Sequence, residues 1–134
     1  MDWRNIQLEK GNRTLTLPAT NALEILAEVG LSATAQFELT IQAAKQQRVT
    51  VRYDGAELQL MDVKAPLKLK DRERSLQLRI FMDRSVIEVF ANETVCLTKT
   101  IAPLDASDLR LELHTKDGKA QLLRIQAWPM KTIW

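Results

Sequence analysis

The sequence is poor in the residue types that form disulfides and bind metal ions. Among 134 residues there is one cysteine, Cys96, and one histidine, His114. A single thiol cannot form an internal disulfide, so nothing in the chain requires an oxidising compartment. Neither residue has a companion at the spacing of a zinc site, and we predict no metal and no cofactor. We interpret Cys96 as a packing or edge residue and His114 as a surface residue.

Long apolar runs and an excess of charge of one sign are absent as well. No run approaches the length of a membrane-spanning helix, and residues 1–4 lack the apolar segment of a signal peptide. The net charge is only +2. We therefore expect a cytoplasmic protein that has no membrane partner and no nucleic-acid partner. The share of hydrophobic residues, 46%, is typical of a folded protein, and 134 residues suit one domain.

What the sequence does contain is a regular alternation of apolar and polar residues. Residues 35–43 read AQFELTIQA, in which the two classes alternate without a break. A period of two predicts a strand with one face on a core and the other in water. The same pattern predicts strands at 23–29, 49–53, 56–60, 76–82, 109–114 and 121–128. Residues 19–29 also fit a helix, but we interpret their second half as a strand because the neighbouring segments are strands.

Turn signals separate these strands at short spacing. Asp54-Gly55 and Asp117-Gly118 each lie between alternating segments, and Asp-Gly predicts a hairpin because the favoured turns need positive φ. The four prolines lie at the edges of runs, where a missing N–H is tolerated. Mixed charges at 68–75 predict a solvated loop. Many short strands without a long helix predict an all-β protein, a two-sheet antiparallel β-sandwich.

One part of the chain carries a more specific signature. Residues 79–92 read RIFMDRSVIEVFAN, residues 97–101 read LTKTI, and the chain ends in AWPMKTIW. These strings resemble the C-terminal module of glycoside hydrolase family 32, a family that holds invertases, sucrose-6-phosphate hydrolases, levanases and inulinases. The resemblance implies a jelly-roll or concanavalin A-like sandwich over residues 21–134, with 1–20 as its N-terminal border segment. Its structural signature comprises Asp83, Arg84, Ser85, Glu88, Phe90, Trp128 and Trp134.

The signature segment is interpreted as a hairpin. Either Asp83-Arg84 or Arg84-Ser85 forms its two-residue turn, in which the Asp or Ser side chain bonds a nearby backbone N–H. The first turn places Arg79 directly opposite Glu88, and the second makes this pair diagonal and weaker. We predict an ion pair between Glu88 and Arg79 or Arg84, which would contribute about 0.2–1 kcal/mol. Residues 92–94 depart from the family, whose members often have Gly after Asn-Asp.

The resemblance does not imply catalysis by this chain. The family's chemistry resembles the retaining mechanism of two carboxylates, and these carboxylates lie in the strings N-D-P-N-G, R-D-P and E-C of an N-terminal five-bladed propeller. None of the strings occurs here, and such a propeller needs about 300 residues. We interpret Asp83 and Ser85 as turn residues and Glu88 as an ion-pair residue. No catalytic residue is assigned, and we expect the isolated chain to be inactive.

Three functions remain as alternatives. The first is a non-catalytic module that stabilises the propeller catalytic domain of the same parent protein and mediates homodimer contacts. The second is a lectin-like module that binds sucrose or fructan, and the low aromatic content of 5% argues against it. The third, an independent enzyme, is the least favoured. Trp3, Trp128 and Trp134 either pack at the core or a domain border or stack on sugar rings, and we prefer packing.

Overall fold

The computed structural model of the chain describes residues 2–9, 12–32, 35–69 and 75–130. Within these ranges the strands are β1 (Asp2–Glu9), β2 (Asn12–Thr16), β3 (Ala22–Leu31), β4 (Gln36–Gln42), β5 (Arg48–Tyr53), β6 (Glu57–Leu60), β7 (Val63–Pro66), β8 (Ser75–Asp83), β9 (Val86–Ala91), β10 (Val95–Thr100), β11 (Arg110–Lys116) and β12 (Lys119–Pro129). One turn of 3-10 helix, Ala44–Gln46, joins β4 to β5. The described ranges contain no α-helix. The predicted all-β class is confirmed.

The strands form two antiparallel sheets of six strands each. Sheet I has the order β1-β12-β3-β8-β9-β10, and sheet II has the order β2-β11-β4-β5-β6-β7. The first two strands of the chain are therefore edge strands, one in each sheet. Alternate side chains of both sheets meet in one shared hydrophobic core. This arrangement is a β-sandwich, as the alternation predicted.

Aliphatic side chains fill most of the core. Ile25 and Ile80 of sheet I and Leu39 of sheet II have no exposed surface. The hydroxyl group of Tyr53, a buried ring, donates a hydrogen bond to the carbonyl oxygen of Leu67 at 2.9 Å, which satisfies its polar end inside the core. The second half of residues 19–29 lies in β3, and its odd-numbered positions face the core. The strand interpretation of that half is confirmed.

The hairpin predicted at Asp54-Gly55 connects β5 and β6, which pair with each other. Gly55 has a φ of +100°, a conformation that favours glycine. The Asp54 carboxylate accepts the N–H groups of Ala56 at 2.9 Å and Glu57 at 2.7 Å. These bonds lower the pKa of Asp54. Of the predicted loop at 68–75, residues 70–74 lie outside the described part of the chain.

The hairpin predicted at Asp117-Gly118 is wrong. The flanking strands β11 and β12 belong to different sheets, so the turn carries the chain across the sandwich. A Cβ at Gly118 would lie 2.6 Å from Ser32 Oγ and 2.7 Å from Ala35 Cα. Ser32 accepts the Lys119 N–H at 2.9 Å through its hydroxyl and donates its own N–H to the Lys119 carbonyl oxygen at 3.0 Å. The glycine is required here because two crossover connections pack closely together.

Candidate functional site

The outer face of sheet I carries apolar and aromatic side chains. Alternate residues of each strand point away from the core, and the register aligns them in rows across the sheet. One row runs through Trp128, Glu24, Phe81, Glu88 and Thr98, and the next runs through Gln126, Leu26, Arg79, Phe90 and Cys96. We call this surface the aromatic face, and its apolar members are Leu26, Phe81, Val86, Phe90 and Trp128.

An aromatic pair lies at the centre of this face. The rings of Phe81 and Phe90 meet edge to face, with their centroids 5.9 Å apart and an interplanar angle of 89°, which is a favourable geometry. Among the described residues, three large apolar side chains are exposed, and two of them, Val86 and Phe90, lie here at 37% exposure each. Clustered exposed apolar side chains of this kind mark interaction surfaces.

An ion pair with one buried partner supports the aromatic pair. Glu24 Oε1 accepts hydrogen bonds from Arg79 Nε at 2.9 Å and from Arg79 Nη2 at 2.7 Å. The Glu24 side chain is only 7% exposed, whereas that of Arg79 is 54% exposed. A carboxylate so buried requires a partner. The guanidinium also lies 5.0 Å from the centroid of the Phe81 ring, within cation–π range. Arg79 therefore neutralises Glu24 and covers one aromatic ring.

A concavity of about 660 Å³ opens beside this cluster. Its apolar wall includes Leu26, Phe81 and Phe90. Its rim carries polar and charged side chains, namely Glu28, Gln77, Arg79, Asn92, Glu93 and Arg124. An apolar depression with a polar rim is the usual form of a ligand site or of the centre of a protein contact.

The signature hairpin uses Arg84-Ser85 as its turn. β8 ends at Asp83, and Arg84 has a φ of 56°. The Arg84 N–H donates to the carbonyl oxygen of Asn21 at 2.7 Å, and the Ser85 carbonyl oxygen accepts the N–H of Ile101 at 2.7 Å. Backbone bonds thus hold the turn from both sides. Of the two turns predicted, the second is the one formed.

The predicted ion pair of Glu88 is wrong. In the register formed, Glu88 lies opposite Phe81. Arg79 turns towards β3 and pairs with Glu24, and within the described ranges no ion pair joins Glu88 to Arg79 or Arg84. The prediction failed because β8 has a neighbour on each side, and the hairpin register does not reveal which neighbour satisfies a charge. Glu88 is half-buried on the aromatic face.

The turn that follows β9 explains the asparagine at the end of the signature. Asn92 and Glu93 both have positive φ, 49° and 58°. The Asn92 side chain accepts the N–H of Gln77 at 2.6 Å and donates to the carbonyl oxygen of Ser75 at 3.0 Å. Asparagine adopts the left-handed conformation readily, whereas a glutamate there costs about 1 kcal/mol relative to glycine. Glu93 therefore strains the turn, whereas Thr94, which stands where the family often has Gly, does not have a positive φ.

The remaining candidate residues are placed as follows. Trp128 is half-buried on the aromatic face, and Trp3 packs partly buried against the core. Trp134 lies outside the described residues. Cys96 is exposed on β10, one of the two edge strands of sheet I, opposite Phe90. The edge position predicted for Cys96 is confirmed.

The described residues contain no cluster of metal-binding type. No group of three or more His, Cys, Asp or Glu side chains in these ranges could hold a metal ion. Asp83 is exposed at the end of β8, and Glu88 lies one diagonal step away on β9. No helix in the same ranges is long and apolar enough to cross a membrane.

The outer face of sheet II has a different composition. On β2, β11, β4 and β5 every side chain that points away from the core belongs to a polar or charged residue. One row runs through Asn12, His114, Glu38, Arg52 and Gln59. His114 is exposed, as predicted, and its Nδ1 lies 2.5 Å from Asn12 Oδ1. We call this surface the polar face.

Comparison with known proteins identifies relatives of the whole chain. Residues 2–129 match the family model described as "Glycosyl hydrolases family 32 C terminal". The chain is 26% identical to levanase of Bacillus subtilis (strain 168), in an alignment that covers 98% of this chain and 22% of levanase. Exo-inulinase of Aspergillus awamori superposes with a TM-score of 0.79 at 21% identity, over 100% of this chain and 29% of that enzyme.

A galectin of Caenorhabditis elegans shares the fold as well. It superposes with a TM-score of 0.64 at 10% identity, over 95% of each chain. At such low identity the likeness shows the fold alone. The chain spans less than a third of the length of levanase and of exo-inulinase, whereas it matches nearly the entire galectin.

Proposed function

The chain belongs to the family of C-terminal domains of glycosyl hydrolase family 32, and from this membership we propose that it is the non-catalytic sandwich module of a β-fructofuranosidase. The parent protein would hydrolyse sucrose or a fructan through a propeller domain. The module would pack against that propeller and stabilise it. The much greater length of levanase and of exo-inulinase supports a parent with further domains.

The contrast between the two outer faces is the observation that carries this proposal. The polar face is suited to water, whereas the aromatic face exposes Val86 and Phe90 beside a concavity of about 660 Å³. The apolar members of the aromatic face extend over four adjacent strands, an area on the order of 400 Å² at ordinary strand spacing. Interdomain interfaces bury roughly 600–1,500 Å² in total, so the aromatic face is large enough for one side of such an interface.

Three charged residues of the family signature also lie on the aromatic face or at its end. Asp83 and Arg84 are exposed at one end of the aromatic face, and Glu88 lies between its aromatic side chains. None of the three belongs to an ion pair within the described residues. Charged groups around an apolar centre are the usual arrangement at a domain contact, where they select the partner's orientation.

The parent's identity is tested by the coding sequence upstream of Met1. We expect it to encode a propeller that contains an N-D-P-N-G string. The isolated chain is then assayed for fructose release from sucrose, and we expect none. Activity that survives purification and vanishes in Asp83→Asn would overturn the proposed non-catalytic role.

A charge introduced at the centre of the aromatic face tests whether this face docks on the propeller. In a protein that joins this chain to its propeller, Phe90→Lys should lower the unfolding temperature by more than it does in the isolated chain, because only the former loses an interface. Met61→Lys is the matched control, since Met61 is 36% exposed at the turn between β6 and β7 of sheet II and is not a member of the aromatic face. Equal effects of Phe90→Lys in both proteins would exclude the aromatic face as the interface.

Homodimer contacts form a separate part of the proposal. The aromatic face also supports self-association of the isolated chain, which would cover the same apolar side chains. Sedimentation velocity at increasing concentration measures it, and Phe90→Lys should abolish any dimer formed through this face. Sedimentation as a monomer at every concentration would remove dimer contacts from the proposed role.

The second candidate function is a lectin-like carbohydrate-binding module. One observation favours it, namely that the polar face presents hydrogen-bonding side chains that pair with one another across its strands. The fold shared with a galectin does not by itself give a function.

A further inference from the structure

The polar face contains a groove because short side chains at its centre are surrounded by long ones. Thr40 and Thr50 lie opposite each other on β4 and β5, with their hydroxyl oxygens 3.4 Å apart. Two adjoining depressions of about 240 Å³ each share Glu38 and His114 as wall residues. Thr40, which is only 2% exposed, forms the floor of one of them. The two depressions lie one after the other along β4 and β11, on either side of the Glu38 and His114 side chains, and together they form a shallow groove.

The walls of this groove are held by ion pairs. Arg52 donates to Glu38 Oε2 from Nε at 3.2 Å and lies 3.1 Å from it through Nη2. Arg48 Nη2 lies 3.3 Å from Glu112 Oε2 and reaches across β4 to do so. Both arginine side chains remain more than half exposed. Because a guanidinium has five N–H donors, each arginine keeps donors for a ligand after it has bonded its carboxylate.

We propose that this groove binds a neutral, hydroxyl-rich carbohydrate chain. A sugar hydroxyl both donates and accepts hydrogen bonds, and so it suits a surface on which guanidinium donors and carboxylate acceptors alternate. A polyanion would instead meet the carboxylates of Glu38 and Glu112. An apolar ligand would find no apolar partner, because no apolar side chain on β2, β4, β5 or β11 points away from the core.

The length of the groove suits an extended chain and not a single sugar. Its lining extends along β4 from Gln36 to Thr40 and along β11 from Glu112 to Lys116, which is about 14 Å at the ordinary rise of a strand. The side chains that point away from the core on β2, β4, β5 and β11 include no Phe, Tyr or Trp that could supply a stacking platform. We therefore expect binding at millimolar concentrations, in which hydrogen bonds set the specificity.

This site is independent of the proposed docking surface. The polar face belongs to sheet II and the aromatic face to sheet I, on opposite sides of the sandwich. A module docked through sheet I would keep the groove open, so it could hold a fructan chain near the propeller of the same protein. An experiment that refutes docking through the aromatic face therefore does not refute sugar binding in the groove, and the reverse also holds.

The experiment is a titration of the ¹⁵N-labelled isolated chain with inulin-type fructo-oligosaccharides, followed by amide shifts. We expect fast-exchange shifts confined to β2, β4, β5 and β11. Glu38→Gln should weaken binding about tenfold, because it removes the charged acceptor and releases Arg52. Glu28→Gln, on the outer face of sheet I, is the matched control and should bind as the unaltered chain does.

A second variant separates binding from stability. Thr40→Arg keeps every wall residue and fills the depression of which Thr40 is the floor, so it should abolish the shifts while the unfolding midpoint stays within a few degrees. Three results would overturn the proposal: no shifts at millimolar sugar, shifts confined to sheet I, or equal affinity in Glu38→Gln and the unaltered chain. Inorganic phosphate as a probe should produce no shifts on these strands, and shifts there would overturn the assignment to a neutral ligand.

Discussion

Removal of the Arg79 side chain is the sharpest perturbation of the aromatic face. Arg79→Ala would leave the Glu24 carboxylate, 7% exposed, without its two short hydrogen bonds of 2.7 and 2.9 Å. It would also uncover the Phe81 ring, 5.0 Å from the guanidinium. Because a buried carboxylate without a partner is costly, the variant should lose far more stability than surface ion pairs usually contribute.

The magnitude follows from the unequal burial of the two partners. Removal of one partner from a fully buried pair costs about 3–5 kcal/mol. The Arg79 side chain is 54% exposed, so water screens the pair from one side, and about 2 kcal/mol is expected. For a domain of this size that corresponds to a fall of about 8 °C in Tm.

Chemical and thermal unfolding of the isolated chain measure this loss, with Arg110→Ala as the control. Arg110 pairs with Asp108 at 3.4 Å, and both side chains are more than half exposed, so its removal should cost less than about 0.5 kcal/mol. A double variant, Glu24→Leu with Arg79→Met, should recover most of the stability because no buried charge remains. Equal small losses in Arg79→Ala and Arg110→Ala would refute the reasoning.

Three further predictions concern turns. Glu93→Gly should raise the stability by about 0.5–1 kcal/mol, measured by the urea midpoint, because glycine relieves the φ of 58°; an unchanged or lower midpoint would contradict the strain. Gly118→Ala should cost about 2 kcal/mol through the clash with Ser32, whereas Gly30→Ala, whose nearest contact is at 3.9 Å, should be tolerated; equal midpoints for these two variants would contradict the close approach. The pKa of Asp54 is lowered from 3.8 by backbone N–H groups, so its stabilisation is full at pH 7 and is lost as the pH falls through the folded-state pKa. The stability gap between the unaltered chain and Asp54→Ala should therefore narrow as the pH falls, and a gap that stays the same size throughout the acid range would argue against it.

The sequence was a reliable guide to which residues face the core. Period-two alternation requires only that one face of each strand be buried, and this holds for β4, β8 and β11 alike. It was also a guide to the hairpin at Asp54-Gly55, where the turn and the pairing are both local. The fold class followed from these two signals.

Partners that lie far apart in the chain could not be predicted. Glu24 and Arg79 are separated by 55 residues, and only the order of strands in sheet I brings them together. Asp117-Gly118 has the composition of a hairpin turn, but the sheet to which each flanking strand belongs is decided by packing. The sequence did contain one indication of the aromatic face. Phe81 and Phe90 lie at alternate positions that point away from the core, on strands whose core-facing residues are aliphatic.

The central claim is that the aromatic face is covered by a catalytic domain in the parent protein. Oxidative side-chain footprinting of the isolated chain and of the chain joined to its propeller tests it most directly, with the exposed Met61 as the internal reference. We predict that Phe90 and Val86 are modified in the isolated chain and strongly protected in the joined protein, while Met61 reacts equally in both. Equal modification of Phe90 and Val86 in the two proteins would contradict the claim.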